Sequence, residues 1–368
     1  MDNRWSRRRF IKTAGTGGLG LLNVSALAAA RTTPRSPIAH LPLHPATALF
    51  GAFCEPIPPE KGYMGALEAF ETEIGRQIAV YRSYRNWGQK IINPPITHLL
   101  ERTPPPRLYL SVHAFYDSKA RNTIPWADIA SGMYDTQIDS WAAELLTVTA
   151  TTSVYMCFHH EPENEEGKCG TPTDFKNAYW HFRNRVEVTH AVPNLTWVVT
   201  YMGNTFRGKH GGPARWWPDV PQFGLPVDQL MGVDLYNRNR CHYKQWRWFD
   251  WLAAKPWQFA AQVQRPMFIG ECGCVEGNAC SGTLPYGTAK EQWLVNVPPT
   301  PPPNPGTAGA LAYLRDVGPS LGYPPLEAFC YSNVLGYRGG SYRIDTSADA
   351  IQGMTTLAGD PFFTEPPT

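Results

Sequence analysis

Eight short apolar segments, each running into turn or polar residues and most separated by a helical pattern, constrain this 368-residue chain more than any other feature. They fall at 49–53, 78–82, 107–113, 154–160, 195–201, 230–236, 267–271 and 328–331, with helical patterns at 65–75, 138–146, 173–188 and 246–264 and a closing one at 347–357. Strands that alternate with helices must run parallel, because each helix carries the chain back to the end where it started. Eight such units close into a (β/α)8 barrel of the TIM type, which needs roughly 250 residues. Residues 47–368 are expected to form that single α/β domain. Polar side chains gather at the C-terminal ends of the segments: Arg82, His113, His160 with Glu161, Tyr236 with Asn237, and Glu271. A barrel that binds a polar ligand at its mouth places them there.

Residues 1–30 do not belong to the barrel. Ser6-Arg7-Arg8-Arg9-Phe10-Ile11-Lys12 has the form of a twin-arginine export signal, followed by a weakly apolar stretch with four glycines and an Ala-x-Ala pattern at Ala26-Leu27-Ala28. The stretch is too short and too glycine-rich for a membrane anchor. Residues 31–46, rich in proline, threonine and alanine, read as a linker. The mature protein is therefore expected outside the cytoplasm. Without residues 1–30 the chain carries 28 basic against 30 acidic side chains, so a nucleic-acid partner has no electrostatic support.

All eight cysteines lie beyond the signal, and in an exported chain an even count suggests disulfides, with 105 full pairings open. Loop-tying bridges near the Cys272, Cys274, Cys280 cluster are the expectation, while Cys157 falls inside a strand as a free thiol. C-x-C-x5-C has no matching histidine pair, so zinc is poorly supported. No GxGxxG or Walker pattern follows a strand, and no cofactor is expected. The run 297–305, VPPTPPPNP, reads as an extended spacer. No heptad suggests an oligomer, so a monomer is expected.

Two strand-end glutamates, Glu161 and Glu271, stand 110 residues apart. Glycosidic cleavage needs an acid for the leaving oxygen and a carboxylate for the anomeric carbon. Glu161, after His160 and before the stiffening Pro162, is the candidate acid. Glu271 is the candidate nucleophile, with Tyr236 positioned to donate a hydrogen bond to it; Arg82 either pairs with Glu271 across the mouth or satisfies a core carboxylate, two readings of equal standing. His159 reads as structural, and Asp234 as a residue that bonds the backbone of its strand end. HEPEN lacks a second histidine four residues on, so metalloprotease chemistry is disfavoured. Thirteen tryptophans and seventeen tyrosines offer faces for sugar rings, or simply a large core.

FHHEPEN, the stretch WWPD at Trp216–Asp219 before DQLMGVDLYN, and FIGECG together resemble glycoside hydrolase family 26. RSYRNWGQ (82–89) and YRIDTSADAIQGMTTLAGDPFF (342–363) extend the resemblance over most of the mature chain. It implies a barrel with Glu161 as acid/base on strand four and Glu271 as nucleophile on strand seven, flanked by His160 and Tyr236. Arg82, His113, Trp87, Trp216 and Trp217 complete the expected substrate-binding set. The implied activity is retaining hydrolysis of a β-linked polysaccharide, foremost endo-β-1,4-mannan, with β-xylan or mixed-linkage β-glucan as alternatives. A non-catalytic sugar-binding barrel is the competing reading. Two departures stand out: HEPEN where the family commonly reads HEMNG, and Cys330-Tyr331-Ser332-Asn333 where a strand-eight tryptophan is expected.

The export signal has a direct test. Replacing Arg7 and Arg8 by lysine should hold the protein in the cytoplasm, as read by fractionation of cells expressing the full chain.

Overall fold

The computed structural model describes residues 47–116, 122–238, 246–276, 290–296, 308–336 and 340–364. The expected signal, the linker, the proline-rich run, Cys241 and Cys280 lie outside the described residues. Strands β1 (Ala48–Cys54), β2 (Val80–Asn86), β3 (Arg107–His113), β4 (Val154–Phe158), β5 (Leu195–Met202), β6 (Leu230–Asn237), β7 (Met267–Cys274) and β8 (Leu326–Asn333) pair in parallel in chain order. β1 pairs with both β8 and β2, which closes the ring. A two-residue strand, β9 (Phe363–Thr364), pairs beside the start of β1. The (β/α)8 barrel read from the sequence is the fold of this chain.

The helices form where apolar residues recur at three- and four-residue spacing. Asp135–Thr149 buries Ile138, Trp141, Ala142, Leu145 and Val148 along one stripe. Pro172–Asn184 opens with proline in its first turn and a reciprocal cap between Thr171 and Asp174. Pro94–Leu100 is too short to show a period in the sequence; Asn93 starts it by accepting from Ile96 N at 3.1 Å. No helix among the described residues is long and apolar enough to cross a membrane.

Two apolar layers result. The larger lies between strands and helices; the smaller fills the lumen with Leu49, Val80, Tyr109, Tyr155, Val198, Leu230, Phe268 and Ala328. There the Tyr109 and Tyr155 rings lie 4.6 and 4.9 Å from Phe268, making a closed floor. The six described cysteines, Cys54, Cys157, Cys169, Cys272, Cys274 and Cys330, are buried free thiols: Cys157 is the free thiol expected of it, and bridges are not formed by the other five. Cys272 and Cys274, two residues apart on β7, both face the helical layer and sit among apolar side chains.

Where strands crowd, only glycine fits. A Cβ on Gly51 would stand 2.6 Å from the Val80 carbonyl oxygen and 2.8 Å from Cys330 Sγ. Gly51→Ala should therefore destabilise the barrel by about 1–3 kcal/mol, read as a lower urea midpoint at unchanged slope.

Candidate active site

Period-two alternation aims one face of each strand into the lumen, and the layer above the aromatic floor is polar. From β2 come Arg82 and Tyr84, from β3 Ser111 and His113, from β6 Asp234 and Tyr236, from β8 Ser332. The two glutamates arrive differently, each through a backbone irregularity. With Tyr155 and Cys157 of β4 facing inward, strict alternation would send His159 into the lumen and His160 away from it. His159 instead takes φ 49° and Glu161 φ 52°, left-handed values that end the strand and turn His160 into the mouth. On β7, Val233 pairs with Ile269 but Asp234 with Glu271, which leaves Gly270 as a bulge. The extra residue re-aims Glu271 inward beside it. A Cβ on Gly270 would meet the Tyr109 ring at 3.1 Å and Asp234 Oδ1 at 3.2 Å.

Glu271 is the most contacted group of the site. Tyr84 donates its hydroxyl to Oε1, and Tyr236 donates to Oε2 at 2.7 Å. Ser332 Oγ lies 2.9 Å from the Tyr236 oxygen; since a phenol has one proton, the serine is the donor to it. Arg82 Nη2 stands 3.8 Å from Oε1, and His160 Nε2 stands 3.2 Å from the same oxygen. Burial by itself would raise this carboxyl, but the charges of His160 and Arg82 and the two phenolic hydrogen bonds outweigh it and hold it below the usual range.

Glu161 is driven the other way. Burial, together with the charges of Asp234 and Glu271, pushes its carboxyl up to about 8 against the opposing His160. Its backbone N–H donates to Thr200 O at 3.1 Å, and Asn164 Nδ2 donates to its Oε2 at 2.8 Å. At neutral pH one glutamate is ionised and the other holds its proton. His160 Nε2 is hydrogen-bonded to Asp234 Oδ2. Burial lowers the imidazole and raises the Asp234 carboxyl, pushing each toward its neutral form.

The residues expected from the sequence divide sharply. Arg82, His113, His160, Glu161, Tyr236 and Glu271 come together at the mouth. Trp87, Trp216 and Trp217, expected to face substrate, do not: they are 2, 0 and 4% exposed. Trp87 packs edge-on against Trp141, Trp216 against Trp126, and Trp217 against Phe259. His159 is a wall residue, its Nδ1 accepting from Trp126 Nε1 at 3.1 Å and Ala114 N at 3.2 Å. Tyr84 was missed because the strand was ended at Arg82; following the alternation Val80, Arg82, Tyr84 two residues further finds it. Asp234 shares its strand face with Tyr236, a signal that outranks the backbone role expected of it.

His160, Asp234 and Glu271 are the cluster among the described residues whose ligating atoms lie within 4.8 Å of one another. Their donor atoms already bond to one another and to two phenols, and the Arg82 guanidinium opposes a further cation, so this donor set is a poor fit for a metal ion.

No family model matches this chain, and no curated protein matches it by sequence. Solved structures do. The catalytic domain of a Bacillus sp. JAMB-750 GH26 endo-β-1,4-mannanase superposes with TM-score 0.55 at 13% identity, over 86% of this chain and 87% of that one. A β-mannanase from a symbiotic protist of the termite Reticulitermes speratus, complexed with gluco-manno-oligosaccharide, gives 0.52 at 12% identity over 87% and 88%. A ruminal GH26 endo-β-1,4-mannanase gives 0.55 at 11% over 86% and 64%. This chain has the fold of the family 26 mannanases. The similarity expected from FHHEPEN, GVDLYN and FIGECG is matched by the shape of the whole barrel.

Glu163, thought to line the rim, is instead 1% exposed beneath it. Its Oε1 accepts from Met202 N and Thr205 Oγ1, both at 2.7 Å, tying the turn that carries Glu161 to the end of β5. Burial and the neighbouring Glu161 raise it from 4.5 to about 7. A raised carboxyl stabilises the fold fully below its unfolded value and loses that contribution as pH climbs through the folded one. The free energy of unfolding should fall more between about pH 5 and 8 in the parent than in Glu163→Gln, by up to about 3 kcal/mol, measured by denaturant unfolding across that range.

Proposed function

We propose that this protein is an exported, monomeric, retaining glycoside hydrolase that cleaves a β-linked polysaccharide of the mannan type. The observation that carries the reading is the opposed pair of carboxyls at one barrel mouth: Glu161 held protonated to about 8 and Glu271 held ionised below its usual range. That split is what double displacement requires. The fold shared with endo-β-1,4-mannanases supports the substrate class.

In the first step Glu161 gives its proton to the glycosidic oxygen while a Glu271 oxygen bonds the anomeric carbon and the leaving sugar departs. Oε1 already faces Tyr84, His160 and Arg82, whereas Oε2 has the single phenol of Tyr236, so Oε2 is the freer attacking atom. In the second step the ionised Glu161 takes a proton from water, and the water oxygen displaces Glu271 from the anomeric carbon. Two inversions return the starting configuration. Burial of Trp87, Trp216 and Trp217 leaves those three indoles unable to act as binding platforms, which weighs against a barrel that only holds sugar.

The test is reducing-sugar release from mannan by residues 31–368 beside a Glu271→Ala variant. Activity should drop by several orders of magnitude in the variant, and azide should restore part of it with a product of inverted configuration. Full activity without Glu271 would defeat the assignment.

A further inference from the structure

The ends of β5 and β6 and the helix Phe249–Gln262 enclose a pocket of about 240 Å³, bordered by Glu161 and not by Glu271. Its wall includes Glu161, Asn204, Arg207, Tyr236, Arg238 and Trp251. Because Glu161 borders it and Glu271 does not, the pocket lies on the side from which the leaving sugar departs. Two guanidinium groups face it. Arg207 lies 3.8 Å over the Trp251 ring, with Nη1 donating to Gly203 O at 3.2 Å and Nη2 to the Trp251 carbonyl. Arg247 stands 4.5 Å from the same ring. Burial and the charge of Arg247 both lower Arg207, the mark of a positive charge set in a positive field. Arg238 is exposed, lies 5.1 Å over the Tyr236 ring, and has no hydrogen bond or ion pair with any described residue.

The carboxyls bordering the pocket do not offset this charge. Glu161 keeps its proton to about 8, and Asp234 is committed to His160. The sequence from 238 to 247 contains no aspartate or glutamate. Guanidinium groups offer donors only, and their best match is an oxyanion that accepts two parallel hydrogen bonds.

We infer that this pocket is a subsite for an anionic sugar, so that the unit on the leaving side of the cleaved bond carries a carboxylate, as a uronate does, or a sulfate ester. The inference rests on the reading of Glu161 as the acid. It narrows the substrate from neutral mannan to an acidic β-linked polysaccharide, and it assigns Arg238 and Arg207 the anion.

The experiment is calorimetric titration of full-length Glu271→Gln protein, which does not turn substrate over, with three probes: a neutral β-1,4-manno-oligosaccharide, the same oligosaccharide oxidised at C6 to carboxylates, and the same oligosaccharide 6-O-sulfated. At least one charged probe should bind roughly tenfold tighter than the neutral parent. The preference should shrink as salt is raised, fall to about one in Arg238→Gln, and survive in Arg238→Lys. The tighter of the two charged probes identifies the anion. Equal or weaker binding of both charged probes, or no binding of any, overturns the subsite. Turnover of the same probes by the unsubstituted protein separates the two readings. Cleavage of the neutral probe without charge preference removes the subsite and keeps the hydrolase, whereas intact charge preference with no cleavage removes the hydrolase and keeps the subsite.

Discussion

A guanidinium closed inside a barrel has to be matched by a negative charge, and the architecture of this mouth follows from that requirement. Arg82 is wholly buried, 3.8 Å over the Tyr109 ring below and 4.0 Å from Tyr84 above, with Nη1 donating to Ser111 Oγ at 2.6 Å. It remains protonated at any working pH. The carboxylate within reach is Glu271, 3.8 Å away. Protonating Glu271 would leave an uncompensated cation in the lumen, which is strongly unfavourable. The ionised state of Glu271 is thus the state that folding needs, with His160 and Arg82 both favouring it.

The same economy governs the backbone. A regular strand presents alternate residues to the lumen and cannot offer neighbours, so a site that needs His160 with Glu161, or Gly270 closed against Tyr109 with Glu271 beside it, must break regularity. It does so twice, with left-handed residues after β4 and a bulge in β7. Such conformations cost of order 1–3 kcal/mol each and persist because hydrogen bonds around them over-determine the path. Glu161 N bonded to β5 and Glu163 bonded to Met202 N are two of those ties.

These irregularities also explain what was legible in the sequence. The barrel was readable because its signal is repeated: eight apolar runs tolerate an error of several residues at either end and still count to eight. Glu161, Glu271, His160, Tyr236 and Arg82 were readable because polar groups at strand ends have few structural reasons to be there. Tyr84 and Asp234 were hidden by boundaries and by neighbours of stronger character. The three indoles were misplaced because tryptophan serves core and sugar platform equally well, and only burial separates the uses. Disulfides were expected from a count, but pairing is a matter of direction, and the thiols on β7 point into the helical layer.

Six thiols sealed in apolar surroundings are inert only after the chain has closed around them. Cys157 and Cys330 lie in the lumen itself, where a bridge to any loop would pull a strand out of the ring. A chain that met an oxidant while still unfolded would have those sulfurs free to combine at random, and most combinations would forbid the barrel. The core of this protein therefore sets a condition on its folding: the barrel has to close in reducing surroundings, before any oxidant reaches the sulfurs.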